Sequence, residues 1–272
     1  MRILISNDDG IDAPGLRVLA QALSNVGEVW VVAPDRDQSA ASHSLTLHRP
    51  LRAAKVAPRW YAVDGTPTDC IALAVKGMVK RKFDLVASGI NRGGNMGDDV
   101  TYSGTVSAAF EATLFGLPAF AISLVTERQG DLTAAGQAAV LVAHLIAKHG
   151  LPANTLLNVN VPDLPPAEIK GFAVTQQGRR HYGDIIVRKL DPRGKAYYWI
   201  AGKEPSWEPM EESDYAAVTA GCISVTPLHL DLTNRNALDR LRKWELSWSP
   251  WQQARARTRS RRRAQRRRIS RG

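Results

Sequence analysis

MRILISNDDGIDAPG, residues 1–15, is the stretch that decides the fold of this chain. Residues 3–5 (ILI) form a short apolar run, which is typical of a strand buried on both faces of a sheet. The run stops at NDDG, residues 7–10, and Pro14 then begins a segment with apolar residues at helical spacing. A buried strand that leads into a helix predicts the first unit of an α/β fold.

Two adjacent acids, Asp8 and Asp9, follow this first strand directly. In an open α/β sheet, ligands bind outside the carboxyl ends of the strands. Neighbouring carboxylates repel each other unless a cation or strong donors offset their charge, and their oxygens suit hard divalent ions. Asn-Asp-Asp-Gly is equally ordinary chemistry for a turn between a strand and a helix. These four residues alone leave a metal site and a simple turn as even alternatives.

Strands and helices alternate through the first 165 residues. Strands are predicted at residues 3–5, 28–33, 84–88, 118–124 and 156–161, helices at 14–26, from 67 onward, at 103–116 and at 132–149, and a hairpin at 51–57 and 60–63. Parallel strands joined by helices pack with the helices on both faces of the sheet. The pattern predicts a Rossmann-like three-layer α/β/α catalytic core with a mostly parallel sheet over residues 1–165.

A change of character follows, over residues 166–245. Alternating segments at residues 172–176 and 182–190, a turn at 191–194 and a strand at 196–200 predict a protruding β-hairpin. An exposed arm of this kind often mediates oligomerisation, so we expect a homodimer or homotetramer. The remaining elements, a helix at 214–221, a strand at 223–227 and a helix at 236–244, are expected to return to the core.

The net charge of +10 belongs to the end of the chain. Residues 251–272 hold ten of the 36 basic residues, all of them arginines, and no acid, so 26 basic and 26 acidic residues remain before them. Such a segment, here residues 246–272, is predicted to be a disordered tail. It either binds RNA, DNA or polyphosphate weakly through salt-sensitive contacts, or is a solvated extension.

Several classes of protein are disfavoured. No apolar run is long enough for a transmembrane helix, and the chain begins without the basic and apolar regions of a signal peptide. Only Cys70 and Cys222 carry thiols, far apart, which favours reduced structural cysteines and a cytoplasmic location. The glycines at residues 89–97 precede no Walker lysine, and the spacing of a dinucleotide-binding loop is absent.

Ser103, Gly104 and Thr105 stand where a helix is predicted to begin. A helix N-terminus offers free N–H groups and partial positive charge, which suits a phosphate, although Ser103 by itself is an ordinary helix cap. A phosphate cradle at one strand end and metal-binding carboxylates at another predict metal-assisted hydrolysis of a phosphate ester.

Five motifs follow one another along the chain: NDDG at residues 7–10, APDRDQSAASHSLT at 33–46, GTPTDC at 65–70, the segment from SGIN to SGTVSAA at 88–109, and TPLHLDLT at 226–233. In this order they resemble the SurE family of stationary-phase survival proteins. The resemblance covers residues 1 to about 245 and excludes the arginine tail. It implies a metal-dependent 5′(3′)-nucleotidase that releases nucleoside and phosphate, with polyphosphatase activity in some members.

Site residues follow from the resemblance. It implies that Asp8, Asp9, Ser39 and Asn91 hold one divalent cation per subunit, Mg²⁺ or Mn²⁺. Asn95 is implied to bind the phosphoryl group together with the helix start at residues 103–105. The hypothesis for the mechanism is attack by a metal-activated water that Asp8 orients or deprotonates.

His43 lies in the same loop as Ser39. It is a candidate proton donor to the leaving alkoxide, while a structural hydrogen bond is the plainer role for a loop histidine. A second function class also stays open, a nucleic-acid-binding protein that uses the arginine tail and whose core only binds a nucleotide. Chelator-sensitive phosphate release would separate the two.

Overall fold

The structure is a computed structural model, which describes residues 1–126, 130–181, 186–200 and 206–244. Its strands are β1 (Arg2–Ser6), β2 (Glu28–Pro34), β3 (Ala53–Ala57), β4 (Trp60–Val63), β5 (Leu85–Arg92), β6 (Ala119–Val125), β7 (Thr155–Pro162), β8 (Phe172–Val174), β9 (Arg180–His181), β10 (Ile186–Leu190), β11 (Ala196–Ile200), β12 (Ser206–Trp207) and β13 (Ile223–His229). Its α-helices are α1 (Pro14–Leu23), α2 (Pro67–Leu73), α3 (Gly104–Leu114), α4 (Thr133–His149), α5 (Asp214–Thr219) and α6 (Arg235–Arg242). Short turns of helix occupy Ala74–Met78, Gly97–Thr101 and Pro166–Glu168.

One sheet organises the fold, with nine described strands in the order β3-β4-β2-β1-β5-β6-β7-β13-β8. Neighbours from β4 through β7 are parallel, whereas β3–β4 and β7–β13 are antiparallel. The strand β1 is central, with β2 on one side and β5 on the other. The strand order therefore reverses at β1, and such a reversal opens a crevice at the carboxyl ends of the strands. Asp8 and Asp9 follow β1 at this crevice.

Both faces of the sheet are buried, because side chains along β1 alternate between two cores. Ile3 and Ile5 pack in one core with α1 and α4, while Leu4 packs in the other with α2 and α3. All three side chains are fully buried, and each such burial contributes about 1.5–3 kcal/mol. The predicted three-layer α/β/α core with a mostly parallel sheet is confirmed.

Two helix starts have the caps that the sequence predicts. The Thr66 hydroxyl accepts the Asp69 N–H at 3.1 Å and the Asp69 carboxylate accepts the Thr66 N–H at 2.9 Å, with Pro67 as the first helical residue. Ser103 caps α3 by accepting the Val106 N–H at 3.0 Å. These bonds satisfy N–H groups that a helix leaves free, so each helix begins at a defined residue.

The strand β5 is longer than predicted. The sequence indicates a strand at residues 84–88, but β5 continues to Arg92 because β6 pairs with its end, Gly89 with Ile122 and Asn91 with Ser123. Asn91 thus belongs to a strand and not to a loop. The start of α1 lies very close to this strand end, since a Cβ on Gly15 would be only 1.9 Å from the Ile90 carbonyl oxygen.

The sheet also contains strands from the C-terminal part of the chain. The strand β13 pairs with β7 and β8, which extends the sheet on the side away from β2. Strands β10 and β11 form a separate antiparallel hairpin, which leaves Trp199 and Ile200 60% and 83% exposed. Its predicted first strand also includes residues 182–185, which lie outside the described residues.

The chain divides into two compact units, Met1–Leu230 and Asp231–Gly272. The first contains the whole sheet, and the described part of the second contains α6. The arginine tail lies outside the described residues. The division into three segments that ends at residues 165 and 245 stays a prediction.

No helix among the described residues is long and apolar enough to cross a membrane. Both cysteines are free thiols, Cys70 buried and Cys222 partly exposed.

Candidate active site

Asp8 is held against the N-terminus of α3. Its side chain is 5% exposed, and the Thr105 hydroxyl donates a hydrogen bond to Asp8 Oδ1. A Cβ on Gly104 would lie 2.8 Å from Asp8 Cβ and 2.9 Å from Asp8 Oδ2, so only glycine permits this approach. Burial raises the pKa of Asp8 above its usual range, against the hydrogen bonds from Thr105 that lower it.

Asp9 lies in the same negative field. Burial, and then the charges of Asp8 and Asp37, raise the pKa of Asp9 to about 6, while Arg92 opposes them. The mutual repulsion of Asp8 and Asp9 favours a cation beside this pair, because a cation would offset both the desolvation and the repulsion. Asp37 is a residue that sequence reasoning missed.

The loop that carries Ser39 lies beside Asp8. The Gln38 N–H donates to the Asp8 carbonyl oxygen at 2.8 Å. Ser39 donates to Asp37 Oδ1 twice, from its N–H at 2.7 Å and from its hydroxyl at 2.6 Å. A hydroxyl that has donated its one hydrogen still has oxygen lone pairs, so Ser39 Oγ remains able to bind a cation.

Asn91 lies near the carboxyl end of β5, the strand next to β1. Its Nδ2 donates to the Gly93 carbonyl oxygen at 2.8 Å. This bond fixes the plane of the amide and turns its oxygen away from Gly93. An amide oxygen at a strand end is a neutral ligand of the kind that hard cations accept.

The donor chemistry of these four residues fits a hard divalent cation. Among the described residues, no group of three or more His, Cys, Asp or Glu side chains is arranged to hold a metal. A site built on Asp8 and Asp9 therefore needs further ligands from neutral oxygens, which Ser39 and Asn91 can supply. Two carboxylates, a hydroxyl and an amide give an oxygen-only set, as Mg²⁺ and Mn²⁺ prefer.

The start of α3 only partly follows the expectation for a phosphate cradle. The hydroxyl groups of Ser103 and Thr105 are engaged, the first by the Val106 N–H and the second by Asp8. The backbone of the helix start remains as the group that suits a phosphate, since it offers N–H groups and partial positive charge. The contact between Thr105 and Asp8 joins the predicted phosphate cradle to the predicted metal site.

Asn95 is locked into a buried network by β6 and β7. Its Nδ2 donates to Ser123 Oγ at 2.8 Å, and its N–H donates to Asn160 Oδ1 at 2.9 Å. Its carbonyl oxygen accepts from Asn158 Nδ2 at 2.7 Å and from Asn160 Nδ2 at 3.0 Å. The network fixes the glycine-rich segment onto the sheet. Two asparagines at alternate positions of the otherwise apolar strand LLNVNV were the signal for it.

The turn that follows Asn95 is fixed by α5. Asp214, fully buried, accepts the Gly97 N–H at 2.8 Å and the Gly178 N–H at 2.9 Å. Burial raises the pKa of Asp214, while these backbone N–H groups lower it. A residue more than a hundred positions away thus supports the glycine-rich segment.

His43 contacts α3 farther along the helix than Asp8 does. Its Nε2 lies 2.9 Å from Glu111 Oε2, with the imidazole 36% and the carboxylate group 9% exposed. Glu111 lies about 9 Å along the helix axis from Thr105, by the rise of an α-helix. The contact with this buried carboxylate fixes the orientation of the imidazole. Glu111, like Asp37 and Asp214, is a residue that sequence reasoning missed.

Comparison with known proteins points to one family. The model of the family "Survival protein SurE" matches residues 3–184. The 5′-nucleotidase SurE of Geotalea uraniireducens is 55% identical over 248 residues, 91% of this chain and 100% of the relative. That of Geotalea daltonii is 57% identical over 247 residues, 90% of this chain and 100% of the relative.

A solved structure agrees with the fold as well. The crystal structure of SurE protein from Aquifex aeolicus has a TM-score of 0.82 and 44% identity. The match covers 89% of this chain and 98% of that one. Nearly the whole of the solved chain therefore shares the architecture described above.

Proposed function

The chain belongs to the SurE family, and from that premise we propose that it is a 5′-nucleotidase, which hydrolyses nucleoside monophosphates to nucleoside and phosphate. One observation carries this proposal, the contact between Asp8 and the N-terminus of α3. It joins a carboxylate pair suited to a cation with a helix end suited to a phosphate. Activity on 3′-nucleotides and on short polyphosphate is part of the proposal.

The SurE nucleotidases are metal-dependent. We propose that one divalent cation, Mg²⁺ or Mn²⁺, binds Asp8, Asp9, Ser39 and Asn91 in each subunit. The raised pKa values of the two aspartates support this set, because a cation relieves the desolvation and repulsion that raise them. When bound, such a cation supplies Lewis acidity, which polarises a phosphate oxygen and makes water more acidic.

The chain's own groups then have separate tasks. We assign the binding of the phosphoryl oxygens to the backbone at the start of α3 together with the side chain of Asn95. Asp8 orients water in line with the phosphorus–ester bond and takes up a proton from it. Water oxygen bonds to phosphorus, the bond to the ester oxygen breaks, and the leaving alkoxide takes a proton.

We propose His43 as the donor of that last proton, with Glu111 orienting its imidazole. His43→Asn is expected to lower kcat for a nucleoside monophosphate by about 10², since its alkoxide leaving group needs protonation. With p-nitrophenyl phosphate, which releases a stable phenolate, the variant is expected to keep near wild-type turnover. The comparison of the two substrates in one assay separates proton donation from a general loss of structure.

Equal losses on both substrates would contradict the role in proton donation. His43 would then act as an anchor that fixes the loop of Ser39 to α3. His144→Asn is the matched control, because His144 is an exposed residue of α4 outside the site, and it is expected to leave both rates unchanged.

Phosphate release tests the proposed function as a whole. The purified chain is expected to release phosphate from nucleoside 5′-monophosphates with added Mg²⁺ or Mn²⁺, and to lose this activity with excess chelator. Re-addition of the metal is expected to restore it. A protein that only binds nucleotides would release no phosphate in any of these conditions.

Assembly and location are finer proposals. The exposed apolar side chains of β10 and β11 support a homodimer or homotetramer formed through the hairpin, which sedimentation of the purified chain would test. Weak binding of nucleic acid or polyphosphate by the arginine tail also stays a proposal. The cytoplasmic location stays a prediction, supported by the free thiols.

A further inference from the structure

A basic groove lies at the amino-terminal ends of the strands, opposite the candidate active site. Two cavities of about 380 and 290 Å³ adjoin there and share Val79, Lys80 and Arg81 as lining residues. We call them together the amino-edge groove. Since β1 has five residues, the groove and the carboxyl edge are about 17 Å apart.

The charge of this groove is strongly one-sided. Six basic side chains line it, Arg2, Arg59, Lys76, Lys80, Arg81 and Lys82. Of the lining residues, Glu28 alone is acidic, and it is occupied by Arg2 at 2.9 Å and by Arg59 at 3.7 Å. Residues 76–82, KGMVKRK, carry four bases and no acid, although the charges of residues 1–250 balance as a whole. The groove is therefore a local anion-binding surface.

Each cavity also contains an aromatic ring. Trp30 lines the first and is held in place by stacking on Tyr61, with a centroid distance of 6.3 Å and an interplanar angle of 2°. Phe115 lines the second, with Lys76 Nζ 4.7 Å from its ring centroid. Rings spaced along a basic groove are what single strands of nucleic acid use, because bases stack on the rings while phosphates contact the cations.

We propose that the amino-edge groove binds single-stranded nucleic acid. Lys80, Arg81 and Lys82 contact successive phosphates, and unstacked bases enter the cavities of Trp30 and Phe115. The concave shape favours a single strand over a duplex, whose bases are not available for stacking. This surface is separate from the nucleotidase site and does not depend on its activity.

Salt dependence of binding tests the phosphate contacts. In the full chain, Lys80→Ala/Arg81→Ala/Lys82→Ala is expected to reduce the slope of log Kd against log salt concentration by about 2, since each phosphate contact with a single strand contributes about 0.7. Fluorescence anisotropy with a labelled 12-nucleotide RNA measures it. The tail is the same in every variant, so its contribution cancels from the difference.

The matched control removes the same charge elsewhere. Lys170→Ala/Arg193→Ala/Lys195→Ala changes three exposed bases outside the groove and is expected to leave the slope unchanged. Equal slopes for the two triple variants would overturn the proposal. Phosphate release is expected to stay at the wild-type level in both, which keeps this result separate from the test of the nucleotidase.

Base stacking has its own readout. Trp30→Leu is expected to weaken RNA binding at least fivefold without a change in the salt slope, whereas Trp30→Phe retains most of the affinity. Thermal unfolding of both variants checks that the fold is intact. Unchanged affinity in Trp30→Leu, with inorganic polyphosphate competing equally per charge, would identify a general polyanion site and overturn the proposal for nucleic acid.

Crosslinking gives the position. A 4-thiouridine-labelled RNA irradiated with the full chain is expected to crosslink to Trp30, to Phe115 or to residues 76–82, as read by mass spectrometry of the peptides. Crosslinks confined to residues 251–272 would assign the binding to the arginine tail and overturn the proposal.

Discussion

Asp8→Asn is expected to lower kcat for nucleoside monophosphates by about 10³, even with Mg²⁺ or Mn²⁺ at saturation. Asparagine keeps the size of the side chain but removes its charge, and its neutral amide oxygen accepts the hydrogen bond of the Thr105 hydroxyl more weakly than a carboxylate does. The change therefore affects proton uptake, metal affinity and the contact with α3 together. Phosphate release at increasing metal concentration measures it, and the metal concentration for half activity is expected to rise as well.

Asp12→Asn is the matched control for this variant. Asp12 is 88% exposed and forms a surface ion pair with Arg17 at 2.9 Å, which contributes little to stability. We expect its activity and its unfolding free energy to stay close to wild type. Near-normal turnover of Asp8→Asn would show that Asp8 is neither a required ligand nor the proton acceptor.

Gly15→Ala is expected to reduce the unfolding free energy by about 3 kcal/mol and Tm by roughly 10 °C. The new Cβ would meet the Ile90 carbonyl oxygen at 1.9 Å, and both partners are main-chain segments that no rotamer change can move apart. The start of α1 and the end of β5 would have to separate. Asn91 follows Ile90, so we also expect weaker metal binding. Thermal unfolding with and without Mn²⁺ measures both effects.

Gly77→Ala provides the control for a glycine substitution. A Cβ at Gly77 would have no atom within 4 Å, and the residue lies in the helical turn Ala74–Met78. Alanine is expected to be neutral or to stabilise by up to about 1 kcal/mol, because it restricts the unfolded chain. A wild-type Tm for Gly15→Ala would mean that α1 and β5 do not approach as closely as described.

Local patterns predicted most of the core from the sequence. The apolar run at residues 3–5 predicts β1, and Thr66 with Pro67 predicts the start of α2, because strand burial and helix capping depend on residues close in sequence. The limits of β5 were harder to predict. Gly89 and Asn91 are not typical strand residues, and they are extended here because β6 pairs with them.

Most residues that support the site could not be predicted from the sequence. Asp37 raises the pKa of Asp9, 28 positions away. Glu111 contacts His43, and Asp214 accepts the N–H of Gly97 from 117 positions away. No spacing rule connects such pairs, since only the assembled sheet brings them together. Motif resemblance found the candidate ligands but not the neighbours that hold them. Asp37 is the one of the three that lies in a recognised motif, since it stands two positions before Ser39 in residues 33–46.

The two contacts that helix α3 makes limit how the sequence of this protein can evolve. Its first turn contacts Asp8, and Glu111, two turns later, contacts His43. A small rotation or translation of α3 would change its contacts with Asp8 and with His43 together. Such movement is limited by the buried alanines on this helix, Ala108, Ala109 and Ala112, which are fully packed against the core. Substitutions along α3 are therefore expected to be coupled, because a change that shifts the helix at one end also alters the contact at its other end.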